Sequence, residues 1–222
     1  MVENGHHISL RQLAYERIKQ KIVSLELAPG SVIDETGLQA ELGLGRTPIR
    51  EALQRLALEK LVVIIPRRGM FVAEIGVMDL QRLFEARLAL ESLAARLAAQ
   101  RGTAAHWEQM QAVLARVPDE TLPSENQTII AIDQTCHELI YEAIDNEFLR
   151  DTLITMYALS LRLWYFALSK LGGMRGAVLE HTAILEALSA GDGEEAADLM
   201  EQHIRIFQEE IQAVMLGVAQ PG

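Results

Sequence analysis

Cysteine occurs once in this 222-residue chain, at Cys136. One thiol excludes an internal disulfide framework and fits a reducing cytoplasm. Proline is scarce at six residues, and aromatic side chains are only 5% of the total. With Ala and Leu prominent and half the chain apolar, that shortage points to a helical protein. No apolar run approaches the ~20 residues of a membrane span. No signal peptide precedes the first amphipathic segment, so a cytoplasmic protein without a membrane partner is expected. Internal repeats and low-complexity segments are missing as well. The polar start, Met1 to Ser9, contains His6 and His7 and is expected to fray.

An excess of positive charge is also lacking: the formal net charge is −11. The deficit is uneven. Residues 1–75 carry ten Lys/Arg against nine Asp/Glu, and the remainder carries ten against twenty-two. An acidic body repels DNA and should face away from it. A compact basic edge on such a protein implies a specific partner rather than general stickiness, with binding that weakens as salt rises.

That edge is built from two segments. Gly45-Arg46-Thr47-Pro48-Ile49-Arg50-Glu51-Ala52-Leu53 reads as the start of a short basic helix. Arg67-Arg68-Gly69-Met70-Phe71-Val72 reads as the tip of a β-ribbon. Upstream, Leu10, Leu13, Ala14, Ile18, Ile22 and Leu25 recur at intervals of three or four, an amphipathic helix over residues 10–25. Leu27-Ala28-Pro29-Gly30 breaks it. Residues 35–42 form a second short helix, and Gly43-Leu44-Gly45 a tight turn. Thr47 reads as an N-cap with Pro48 at the first helical position. The third helix then runs to about Glu59, burying Ile49, Leu53 and Leu56. Residues 61–65 and 70–73 read as strands around a turn at 66–69. The pattern is a winged helix-turn-helix.

In such a motif the N-terminus of the third helix points at base edges. Arg46 and Arg50 can each bond guanine in a bidentate manner, while Thr47 and free helix N–H groups suit phosphate. Arg68 at the wing tip, and Gly69, which permits close approach of backbone, complete the DNA-facing set. Arg55 and Lys60 lie further along, toward DNA backbone or solvent. The alternative is a protein-binding winged helix whose arginines form a solvated face.

After a linker at residues 76–78, nearly everything is helical. Helices are expected at residues 79–100, 104–117, 124–144, 147–171, 174–190 and 194–217. The breaks fall at Arg101-Gly102, residues 118–123, Asp145-Asn146, Gly172-Gly173 and Gly191-Asp192-Gly193. Short connections favour antiparallel neighbours, hence an all-α antiparallel bundle over residues 79–222. The fold class is mainly α: a winged domain over residues 1–75, the linker, and this bundle.

The bundle carries a possible metal constellation. Asp133 and His137 are four apart and share a helix face. His181 and His203 lie on the last two helices, equidistant from residue 192, so a hairpin turning there sets both imidazoles at one height. One carboxylate and three imidazoles would suit Zn²⁺, Ni²⁺, Mn²⁺ or Fe²⁺. The alternative is that His137 and His181 are core histidines bonded to neighbours, with His203 on the surface. Arg87 interrupts an apolar helix and needs an anionic partner: a ligand carboxylate, or Glu91 one turn on. Arg162 lines a cavity or reaches solvent. Asn146 caps the following helix. Cys136 lies about a hundred degrees round its helix from His137 and is core packing. Trp107 and Trp164-Tyr165-Phe166 read as packing or dimer surface, and His106 has no evident partner.

Residues 10–75 resemble the N-terminal domain of the GntR transcription factors. The matching residues are Pro29-Gly30, Leu42-Gly43-Leu44-Gly45 through Leu53, Leu56, Leu61 and Arg68-Gly69-Met70-Phe71-Val72. The resemblance implies DNA contact from Arg46, Thr47, Arg50, Arg68 and Gly69. Thr36 stands where some relatives have a basic residue, so no contact is assigned to that helix. Residues 79–217 resemble the all-helical sensing domain of the FadR-type branch, the FCD domain, through Arg87, Glu91, Asp133, His137, Asp145-Asn146, His181 and His203. That likeness implies a metal held by Asp133, His137, His181 and His203, zinc first among the candidates, with a small carboxylate beside it.

The expected function is a ligand-responsive bacterial transcription regulator, a repressor, binding a palindromic operator in double-stranded DNA as a homodimer. A small organic acid near the metal would release it, with Arg87 and Arg162 as effector contacts. The competing readings are a metal-dependent enzyme and a metal-sensing regulator built on the same helical domain.

Overall fold

The computed structural model describes residues 9–118, 126–167 and 175–217. The fraying start with His6 and His7, the break at 119–123, the end of the fourth bundle helix and Gly172-Gly173 lie outside the described residues. Two compact units divide the chain, Met1–Ile75 and Gly76–Gly222.

In the first unit, α1 (Leu10–Val23) opens at Ser9, whose Oγ accepts from the N–H of Gln12 at 3.1 Å. Its apolar face buries Ala14, Ile18 and Ile22 completely against α3. α2 (Glu35–Leu42) is capped by Asp34 and closed by Gly43, which turns left-handed at φ 65°. That position needs a residue without a Cβ penalty. α3 (Arg46–Leu58) buries Ile49, Ala52, Leu53 and Leu56. β1 (Val62–Ile65) pairs antiparallel with β2 (Gly69–Val72), and Val32 bridges to Phe71 on the far side of β2. Arg67 and Gly69 take positive φ at the wing tip, 64° and 109°.

The start of α3 differs from expectation. Gly45, not Thr47, is its N-cap, and no side chain caps it. Pro48 therefore sits at the third helical position. Its missing N–H is harmless there as at the first, because the opening amides of a helix have no internal acceptor. The same tolerance made the two registers indistinguishable in sequence.

The second unit is helical throughout its described residues. α4 (Val77–Arg101) begins two residues earlier than expected, because Gly76 C=O accepts from the N–H groups of Asp79 and Leu80. α5 (Ala104–Leu114), α6 (Asn126–Ala143), α7 (Glu147–Ala167), α8 (Arg175–Ala190) and α9 (Gly193–Leu216) follow. α4 packs chiefly along α9, and α6 contacts α4, α7 and α8. The α8–α9 hairpin turns at Gly191, φ 72°, and Asp192 caps α9. Asn146 accepts from the N–H of Leu149 and so caps α7, as its position suggested. His106, without a partner in the sequence reading, completes a capping box with Thr103 at the start of α5. No helix among the described residues is long and apolar enough to cross a membrane.

Leu53 is fully enclosed between α1 and α3. Leu53→Ala should cost about 2–5 kcal/mol of unfolding free energy through lost burial and a residual cavity. Chemical denaturation followed by far-ultraviolet ellipticity tests this; a change below about 1 kcal/mol would show that the site collapses freely.

A candidate metal centre and a candidate DNA edge

α6 brings Asp133 and His137 to one face of its buried side, and the α8–α9 hairpin brings His181 and His203 opposite them. One ligand-capable atom from each of the four lies within 4.8 Å of all the others. Their exposures are 4, 1, 0 and 5% respectively. The rings of His181 and His203 have centroids 4.5 Å apart, as a hairpin symmetric about residue 192 requires. Around Asp133, His137 Nε2 stands 3.9 Å from Oδ2, and His181 Nδ1 and His203 Nε2 stand 3.8 and 3.9 Å from Oδ1.

These separations are too long for hydrogen bonds. Asp133 Oδ1 and both ring nitrogens of His181 are buried without a well-formed hydrogen bond, the His181 ring having only a weak interaction with the Val178 backbone. His203 is buried rather than on the surface, while His137 has Tyr141 OH 3.4 Å from Nδ1 and His181 interacts with the Val178 backbone. Neighbouring polar groups in such a core are ordinarily paired. Orphaned donor atoms that face one another across a gap of this size fit a shared cation, bonded to nitrogen and oxygen at about 2.0–2.2 Å after a small inward shift.

Outer partners orient the set. Tyr157 OH on α7 donates to Asp133 Oδ2 at 2.7 Å. His203 Nδ1 is 2.8 Å from Glu180 Oε2, leaving Nε2 to face Asp133. Tyr141 OH donates to Glu91 Oε1 at 2.7 Å. Sequence reasoning missed Glu180, Tyr141 and Tyr157 as members of the site. Tyr141 was findable, one helical turn after His137; Tyr157 was not, because its placement depends on the rotation of a separate helix.

Charge follows burial. Desolvation, reinforced by the neighbouring imidazole, lowers His181 to about 3, and desolvation lowers His203 to about 4. Both rings are neutral at pH 7, the form that binds metal. Burial alone would raise Asp133, but the three imidazoles outweigh it and hold the carboxyl below its ordinary value. Burial and adjacent carboxylates keep Tyr141 and Tyr157 protonated. Cys136 is buried outside the ligand set, and burial raises its thiol, consistent with core packing.

A cavity of about 10 Å³ adjoins Asp133, His137 and His203, with Arg87, Tyr157 and Trp164 also in its wall. That is room for about one water. Arg87 is bonded to Glu91 through Nε at 3.0 Å and Nη2 at 2.5 Å, so both partners considered in sequence are relevant: Glu91 is bound, and the side chain still lines the cavity. Trp164 Nε1 is buried without an acceptor, a donor that packing alone does not explain. Arg162 is 3% exposed, so it does not reach solvent, and it is not among the side chains lining this cavity.

In the winged unit, Arg46, Thr47, Arg50, Arg68 and Gly69 are all exposed. Arg50 Nε meets Glu35 Oε2 at 3.1 Å in a partly solvated pair. The opening turn of α3 has no side-chain cap, which leaves the Arg46 and Thr47 amides open to an anion. Arg55 is committed elsewhere: its guanidinium stacks 3.6 Å over the Tyr15 ring and bonds Glu59 and Gln12.

Both units match family models. The description "Bacterial regulatory proteins, gntR family" matches residues 10–72, and "FCD domain" matches residues 82–206. The chain belongs to the GntR family of bacterial regulatory proteins. It is a DNA-binding transcription regulator with an FCD domain. Among curated relatives, the HTH-type transcriptional repressor RspR of Escherichia coli K12 is 25% identical over 92% of this chain and 90% of its own. The Nta operon transcriptional regulator of Aminobacter aminovorans is 29% identical over 88% and 91%. These relatives are regulators, not enzymes, which removes the metal-dependent enzyme as a reading. Among solved structures, E. coli McbR/YncC superposes with TM-score 0.77 at 22% identity, covering 91% of this chain and 98% of that one. A GntR regulator from Rhodococcus sp. RHA1 gives 0.71 at 20%, covering 96% and 100%. At these identities they establish the fold.

The depressed imidazoles predict a pH dependence for metal-free protein. A histidine that stays neutral when folded, with a value near 3 or 4 against 6.5, stabilises the fold above 6.5. That contribution is lost as pH falls from about 6.5 toward 4, because the unfolded chain binds the protons. Metal-free protein should therefore show a falling denaturation midpoint across that window, reported by the buried Trp164. A midpoint flat from pH 7 to 4 would contradict the burial of neutral rings.

Proposed function

We propose that this regulator is a homodimeric repressor whose FCD domain holds a divalent ion in Asp133, His137, His181 and His203, and which a small organic acid releases from a palindromic operator. The single observation that carries the reading is the set of orphaned buried atoms, Asp133 Oδ1 and both nitrogens of His181, beside a cavity walled by Arg87. Imidazole with carboxylate suits zinc first, with Ni²⁺, Mn²⁺ and Fe²⁺ compatible. A bound ion would supply a Lewis-acidic anchor for an anionic oxygen.

The chain's own groups define what else the cavity accepts. Arg87 presents a permanent positive charge, and Trp164 Nε1–H a hydrogen-bond donor without a partner. Two donors and no free wall carboxylate other than Asp133 select an anion. A carboxylic acid is several times larger than one water, so its entry displaces lining helices. α4 is among them, and only residues 73–76 separate it from β2. Displacement of α4 is thus the direct covalent route from effector to wing. Full burial of the ligand set favours a resident ion over metal as the signal.

In the winged unit, Arg46 and Arg50 read base edges, the amides and hydroxyl of Thr47 hold phosphate, and Arg68 and Gly69 bring the wing to the backbone. Two-fold symmetry of the dimer is matched by the operator. Access to chromosomal DNA places the protein in the cytoplasm.

Selection of genomic fragments by the metal-loaded protein, followed by sequencing, tests the regulator reading: a short palindrome should be enriched. Arg50→Ala should weaken operator binding at least about 30-fold, from ~1–3 kcal/mol per base contact in each of two half-sites. Its metal content and dimerisation should not change. Normal operator binding by that variant would overturn the placement of the reading helix. His181→Ala should cut the metal retained through gel filtration from one per protomer to a small fraction. It should also blunt release by effector, measured by fluorescence anisotropy of labelled operator; full retention of metal would remove His181 from the ligand set.

A further inference from the structure

Glu91 has no accessible surface, and its two oxygens face different partners. Oε1 accepts from Arg87 Nε and Nη2 and from Tyr141 OH. Oε2 lies 3.5 Å from His137 Nδ1, at the outer limit of a hydrogen bond and without a well-formed one, and Tyr141 OH stands 3.4 Å from the same nitrogen. A buried carboxylate oxygen without a donor is costly, and the arrangement explains how it is relieved. His137 directs Nε2 toward Asp133. A neutral imidazole can carry its proton on either nitrogen. An ion at Nε2 confines that proton to Nδ1, the nitrogen that faces Glu91. The orphaned acceptor then gains its donor.

We propose that Glu91 is a positioning residue for the metal: Oε2 orients His137 with Nε2 toward the ion, and Arg87 anchors Glu91 through Oε1. The inference rests on the metal reading above. It makes Arg87 and the ion neighbours through one carboxylate. An anion that draws Arg87 toward the cavity would loosen Glu91 and alter the hold on His137, so the effector arginine and the metal set are mechanically linked inside α4 and α6.

Full-length Glu91→Gln, Arg87→Gln and the double variant would each be titrated with Zn²⁺ against a chromophoric chelator. Each should bind Zn²⁺ about 10–100-fold more weakly than wild type. The double variant should lose no more than about threefold beyond either single one, because both substitutions break the same link. The ¹⁵N shifts of the His137 ring in metal-free protein give a second readout, moving in Glu91→Gln toward a different tautomer mixture. If a single variant leaves an unpaired buried charge and does not fold, the double variant carries neither charge and is read alone. Affinity within about twofold of wild type in the folded variants overturns the proposal, as do losses that multiply. Failure of the metal reading is distinct: wild type would then bind no Zn²⁺. Zn²⁺ bound by wild type, lost from His181→Ala and unchanged in Glu91→Gln, sinks the Glu91 role alone.

Discussion

A carboxylate buried among three imidazoles is the constraint on which the packing of the FCD domain's α6, α8 and α9 depends. Asp133 receives one hydrogen bond, from Tyr157, and its other oxygen meets only ring nitrogens at 3.8–3.9 Å. That second oxygen is buried without a hydrogen-bond donor, which costs about 1–3 kcal/mol and more for a charged group. α6, α8 and α9 each contribute to this cluster, so the packing of three helices is tied to how its charge is balanced. A cation there turns orphaned atoms into ligands, and its binding free energy becomes folding free energy. On the proposed metal reading, the bundle would be built around the ion's position.

The Arg87–Glu91 pair is the second buried charge system, and it adjoins the first. Desolvation would push Glu91 up, but Arg87 and His137 outweigh it and hold the group well below the usual carboxylate range. The pair sits on α4, which packs along α9, the helix of His203. Arg87 and His203 therefore stand on adjacent helices. A change at either is felt by the element whose first turn follows the winged unit in the chain.

What was legible in sequence was what arithmetic along one or two helices fixes. Asp133 and His137 share a face because they are four apart, and His181 and His203 share a height because they are equidistant from the turn. The winged unit was legible because Gly43, Gly45, Pro48 and Gly69 mark its corners. Side-chain partners drawn from independent helices were not legible. Tyr157 reaches Asp133 only through the rotation of α7, and Arg162 on that same helix is buried without joining the cavity. Glu180 was hidden by being next to His181 in sequence, yet it serves His203. The Thr47 cap was misplaced because proline fits equally where Gly45 begins the helix.

The two units hold their interactions at different energies, and this bears on where switching can originate. The DNA edge is solvated. Its Arg50–Glu35 pair is about half exposed on the arginine side, worth at most about 1 kcal/mol, and can be exchanged for phosphate at little cost. Inverting a two-state equilibrium from 1:99 to 99:1 takes about 5.5 kcal/mol of differential binding. Exposed pairs cannot supply that. A site where Arg87, Glu91, Asp133 and three histidines are all at or below 5% exposure can, because each contact made or broken there is felt without screening by water. On the proposed reading, a ligand small enough to enter beside the metal would act where interaction energies are largest, and the solvated DNA edge would be free to follow.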